Sequence, residues 1–174
     1  RSPRDGKDDC PDGRCPYRVI RSLDEIAMDL PVAARCRNYA GGSCVFASTV
    51  SCLRWQGLGG MADYFRGNYS GGEGDSGLMT KMERCGLRYA CTTRGDISFL
   101  DWACRTRRGA VIFYFSGHCV NLVDLDGEAA TLLDNNRIDR YIRIPRNEFI
   151  NRWKGYGGFA LTPLYTPPPP LPTL

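Results

Sequence analysis

Cys44 follows Gly41-Gly42-Ser43 and opens a stretch to Gln56 that is apolar on most sides. Glycines let a chain turn sharply into a helix, and a thiol at the helix start sits at the positive end of the helix dipole. With a cationic neighbour, that field lowers a thiol pKa from ~8.5 into the ~3.5–7.5 range, where the thiolate is the nucleophile. The N–H groups of the same first turn can stabilise an oxyanion. A buried structural cysteine fits this segment equally well, and His118, the only histidine, decides for chemistry. His118 follows Ser116-Gly117 at the join of two apolar runs, and Asp126-Gly127 marks a hairpin turn beyond it. If the hairpin closes there, its ends meet and His118 comes beside Asp134-Asn135-Asn136. A carboxylate or amide at that place orients the imidazole and fixes its tautomer.

The elements that must hold these groups change character midway. The first half reads as helical. Ser22-Leu23-Asp24-Glu25 has the pattern of a capped helix start. Cys44 to Gln56 should be a buried helix stopped by Gly57, with a weak helix over Met61 to Arg66. The glycine-rich stretch from Gly67 to Gly77 reads as a mobile loop. Helices are expected over Ser76 to Cys85 and, capped by Asp96, over Ile97 to Arg108. The second half reads as sheet: Ala110 to Phe115, Cys119 to Leu125, Ala129 to Leu133, an edge strand at Tyr141 to Ile144, and a last strand at Phe159 to Leu161. Pro145 should start a short helix that carries Trp153. Helices first and antiparallel strands second give an α+β fold.

Gly42-Ser43-Cys44-Val45-Phe46-Ala47-Ser48 resembles the nucleophile segment of papain-like cysteine peptidases. That superfamily places a Gln six residues before the Cys as an oxyanion-hole amide; Asn38 stands at that distance. It also places a His before a strand, a hairpin and an Asp or Asn, the spacing of His118 and Asp134. The likeness is strongest to the peptidases that cut bacteriocin leaders after a double glycine. Pro145 to Gly155, with Trp153, is similar to the short helix before their last strand. The resemblance spans about residues 30 to 165. It implies a papain-like fold in which a helical half carrying the nucleophile packs on a C-terminal antiparallel sheet. It implies peptide hydrolysis through a thioester, on a peptide or protein with small residues near the cut, with no cofactor and no metal. Carried over, the roles are Cys44 as nucleophile, His118 as base, Asp134 as orienting residue with Asn135 as second choice, and Asn38 in the oxyanion hole. Three departures stand out. Asn38 is one methylene shorter than Gln, Val45 replaces the Trp of papain itself, and Cys119 directly follows His118. Strand alternation points Cys119 away from His118, into the core.

At 174 residues and 43% hydrophobic, the chain can bury a core. The expected organisation is a polar arm over 1–17, a peptidase domain over 18–165 and a proline-rich tail over 166–174. The tail should be extended, either as a strap or as a ligand for a proline-reading protein partner. The net charge of +4 comes from scattered arginines without interleaved stacking aromatics, so nucleic acid is not expected as a partner. No apolar run reaches the ~18 residues of a membrane span. Nine cysteines leave eight beyond Cys44, an even number; Cys10/Cys15 and Cys85/Cys91 are the easiest local disulfides. Disulfides would place the protein in an extracytoplasmic or secreted setting. Cys10 and Cys15 have zinc-like spacing, but no second pair follows. Two rivals remain: an inactive papain-like module used for binding or assembly, and an acyltransferase that hands the same thioester to an amine.

Overall fold

In the computed structural model, residues 25–170 are described. The arm over 1–17, the Cys10/Cys15 pair and most of the helix start at Ser22 fall outside them; from 25 to 31 the chain forms turns but no helix.

Helix α1 spans Cys44–Trp55, and ten of its residues are buried. A helix enclosed on nearly all sides must satisfy its own polar groups. Thr49 donates back to the Val45 carbonyl at 2.8 Å, and the Ser51 hydroxyl accepts the Cys36 N–H at 2.9 Å. Helices α2 (Gly59–Asn68) and α3 (Asp75–Arg84) follow. Both encroach on the stretch read as a loop, which shrinks to 69–74. Gly67 and Gly77 are helical, because their neighbours Phe65 and Leu78 are buried in the core and carry them into the helices.

Six strands form one antiparallel sheet: β1 (Tyr89–Thr92), β2 (Ala110–Phe113), β3 (Cys119–Leu125), β4 (Ala129–Leu133), β5 (Ile142–Pro145) and β6 (Ala160–Pro163). Their order is β1-β6-β2-β3-β4-β5. Helices α4 (Ile97–Arg105) and α5 (Arg146–Gly155) pack on the face opposite α1. One core joins Phe46, Val50 and Leu53 to Val111, Cys119, Val123 and Leu161; the other joins Leu100, Phe149 and Trp153 to Ile112, Val120 and Leu122. With both faces covered, every residue of β3 and β4 is buried. That explains why these antiparallel strands read as continuous apolar runs rather than as alternation.

Several boundaries differ from those read off the sequence. α4 stops at Arg105 because Arg107 adopts a left-handed conformation, φ 63°. β2 stops at Phe113 because Phe115 does the same, φ 67°. Pro145 ends β5 and caps α5, with Arg146 as the first helical residue. The expected Cys85/Cys91 disulfide is not formed: all seven described cysteines are free thiols. Cys85 caps the end of α3 with its sulfur 3.8 Å from the Tyr69 hydroxyl, whereas Cys91 lies in β1 with its sulfur 3.7 Å from the Met79 sulfur. Among the described residues no helix is long and apolar enough to cross a membrane. Residues 166–170 have no regular structure, and the Pro168 carbonyl accepts a hydrogen bond from the Arg107 guanidinium.

Candidate active site

Cys44 is the first residue of α1. Gly41 and Gly42 reach it through φ values of 82° and 68°, which a side chain rarely tolerates. Ser43 stands in the capping position but does not cap the helix. Its hydroxyl instead donates to the Ala40 carbonyl at 2.7 Å and accepts the Gly71 N–H at 2.9 Å. The first N–H groups of α1 therefore keep no side-chain cap, and they face the site with the positive end of the helix.

The β3–β4 hairpin does what the Asp126-Gly127 signal implied. His118 stands just before β3 and Asp134 just after β4, and His118 Nε2 lies 2.8 Å from Asp134 Oδ1. The same carboxylate oxygen accepts the Asn136 N–H at 3.0 Å, which holds it toward the ring. Nε2 thus carries the proton given to Asp134, and the imidazole shares one groove with the Cys44 sulfur. Burial opposes ionisation of Cys44, but hydrogen bonds from His118 and from the Cys119 N–H outweigh it, and the thiol pKa is lowered. His118 is raised: the bond to Cys44 favours the imidazolium most, burial opposes it, and Asp134 adds to it. A thiol lowered and an imidazole raised by each other's presence is the electrostatic pattern that favours a thiolate beside an imidazolium.

Asn135 turns away from the ring. Its amide donates to the carbonyls of Cys44 and Cys119 and to the Ser48 hydroxyl, and no hydrogen bond joins it to His118. Asp134 opens a turn closed by the Arg137 N–H on its carbonyl at 2.8 Å, and within that turn the Asn135 amide points toward α1. Asn38 lies beside the same loop; its Nδ2 donates to Asn136 Oδ1 at 3.0 Å, and its N–H donates to the Asn135 carbonyl at 2.9 Å. One hydrogen of the Asn38 amide is spent on Asn136, which leaves the other. Asn136 was not singled out in the sequence, although its place after Asp134-Asn135 was the available signal. Cys119 is fully buried on the α1 side of the sheet, and burial raises its thiol pKa well above the usual value.

A groove of about 330 Å³ opens over Cys44 and His118. Gly42, Val45, Gly72 and Glu73 line it, with Phe113, Phe115, Gly117 and Tyr156. Phe115 and Tyr156, too, escaped the sequence reading, because loop geometry and a helix end bring them there. Glu73 is tied to Lys81 by a short ion pair. No cluster of three or more metal-ligating side chains occurs among the described residues.

No family model and no curated protein sequence matches the chain. Solved structures do. A double-glycine motif protease from an AMS/PCAT transporter, solved in complex with the leader peptide, superposes with a TM-score of 0.55 at 16% identity; the match covers 83% of this chain and 96% of that one. A Bacillus anthracis protein described as a C39-like peptidase gives a TM-score of 0.54 at 14% identity, over 88% of this chain and 96% of that one. The helices packed on a six-stranded antiparallel sheet thus match the fold of these two structures.

Proposed function

We propose that this chain is a cysteine peptidase in which Cys44, His118 and Asp134 act as a triad. The observation that carries the reading is the 2.8 Å bond between His118 and Asp134, with His118 and Cys44 lining one groove at the open start of a buried helix. The Cys44 thiolate attacks the substrate carbonyl. The first N–H groups of α1, with the remaining hydrogen of the Asn38 amide, receive the oxyanion. His118 gives its proton to the leaving amine, and the acyl group stays on sulfur as a thioester. His118 then takes a proton from water, which attacks the thioester and frees Cys44.

The substrate is a peptide. Supporting this are the groove's glycine wall at Gly42 and Gly72, which suits small residues beside the cut, and the aromatic wall of Phe113, Phe115 and Tyr156. The structurally similar protease that was solved with a leader peptide points the same way. One observation favours the rival reading of an inactive binding module: the Asn38 amide is held by Asn136 rather than free. Incubation with a peptide library, followed by mass spectrometry, separates the two. Cleavage that is lost in Cys44→Ser and blocked by iodoacetamide at Cys44 supports the peptidase. A folded wild-type protein that cleaves nothing and resists alkylation at Cys44 overturns it.

A further inference from the structure

Asn135 is 2% exposed and lies where four segments of the site converge. Its Nδ2 donates to the Cys44 carbonyl at 3.4 Å, to the Ser48 hydroxyl at 3.0 Å and to the Cys119 carbonyl at 2.8 Å. Its own carbonyl accepts the Asn38 N–H at 2.9 Å. It follows Asp134 in the chain. A single residue therefore touches the backbone of Cys44, the neighbour of the histidine and the backbone of Asn38, and it directly follows the carboxylate in the chain.

The geometry fixes which way the amide points. Two of its three partners are carbonyls that can only accept, so the NH2 must face them. Its Oδ1 is left with no hydrogen-bond partner among the described residues. An orphaned buried carbonyl is a cost that a leucine of similar size would avoid. What the amide adds is connection: it bridges the first turn of α1 and the start of β3, the two elements that carry the sulfur and the imidazole.

We propose that Asn135 is a positioning residue whose amide sets the separation of Cys44 and His118. This rests on the roles given to Cys44 and His118 above. Without the bridge, α1 and β3 still pack through Ala47, Val50, Cys119 and Val123, but the separation of sulfur and ring is no longer fixed. Misplacement of reacting groups by about 1 Å can cost roughly 10²-fold in rate.

The test is the pH dependence of iodoacetamide alkylation at Cys44, read by mass spectrometry beside a thermal melt. Asn135→Leu should move the apparent thiol pKa up toward ~8.5. Each unit of that shift lowers the alkylation rate at acid pH about tenfold. Asn121→Leu is the control. Asn121 is an equally buried amide bonded to Ser48 O at 2.9 Å and Cys52 Sγ at 3.3 Å, and it bonds no residue of the triad. Its replacement should lower the melting temperature and leave the Cys44 profile in place. A wild-type profile in folded Asn135→Leu overturns the proposal. Should that variant fail to fold, Ser48→Ala removes one of the three acceptors: a smaller upward shift supports the bridge, and no shift overturns it. Failure of the peptidase reading shows separately, as an ordinary Cys44 profile in the unsubstituted protein.

Discussion

Ser43 and Gly71 are joined by a 2.9 Å hydrogen bond from the Gly71 N–H to the serine hydroxyl, which pins the 69–74 loop to the turn before the nucleophile. Gly72 and Glu73, on that loop, form one wall of the groove. Ser43→Ala deletes this bond and the one to the Ala40 carbonyl in a buried place. Leaving buried groups unpaired costs about 1–3 kcal/mol, to be measured by urea unfolding. The groove wall loses its tether as well, so KM for a cleaved peptide should rise more than kcat falls.

The raised His118 and the lowered Cys44 set the pH behaviour. A raised folded value for His118 contributes stability in full below the ordinary ~6.5, and the contribution is lost as pH climbs through the folded value. A lowered folded value for Cys44 contributes in full above the ordinary thiol range, and the contribution is lost as pH falls through the folded value. Each group contributes to the other's shift, so they titrate as a pair. Alkylation of Cys44 should persist to lower pH than that of Cys91, whose thiol burial pushes up.

Asp134 faces only the far side of that pair. Asp134→Ala removes the acceptor at Nε2 and should cut peptide cleavage by about 10²-fold. Asp134→Asn should lose much less, because an amide oxygen still accepts from Nε2. Equal losses in the two variants, in steady-state assays of folded protein, would count against an orienting role.

Thiol counting tests the reduced state of the domain. Of the seven described cysteines, Cys44, Cys85 and Cys91 are partly exposed, while Cys36, Cys52, Cys104 and Cys119 are buried. An aromatic disulfide reagent should titrate the first three in native protein and the other four only after denaturation. The slow class should include Cys52, whose pKa burial pushes up to about 12. A Cys85–Cys91 bond detected in the purified protein would contradict the structure.

Gly158→Ala probes packing between the turn before β6 and the turn at Gly95. Gly158 has φ 64°, and a Cβ there would lie 2.6 Å from the Gly95 backbone, which cannot swing aside like a side-chain tip. The left-handed conformation and the overlap together should cost roughly 2–4 kcal/mol. Chemical denaturation reads this directly.

The sequence anticipated the meeting of His118 and Asp134 beside Cys44 better than it anticipated their surroundings. Cys44, His118 and Asp134 were legible because helix start, hairpin turn and strand ends are local signals, and a single hairpin carries two of the three. Asn135 was legible as a member of the site but not in its direction, since which face a residue takes at a strand end depends on the register of its neighbours. The 69–74 loop was overestimated because glycine frequency outweighed the burial of Phe65 and Leu78, a tertiary effect. Cysteine parity suggested disulfides where burial and separate partners leave thiols. Phe115 and Tyr156 reach the groove only through the assembled fold, and no local pattern marks them.

The last of the six described strands, β6, pairs with β1 on one side and with β2 on the other. Until residues 160–163 leave the ribosome, β1 has no neighbour and β2 keeps an open edge beneath α1. The candidate site, although encoded upstream by residue 136, is therefore assembled on a platform completed only when β6 is in place. In a growing chain Cys44 is made long before the sheet beneath its helix can close.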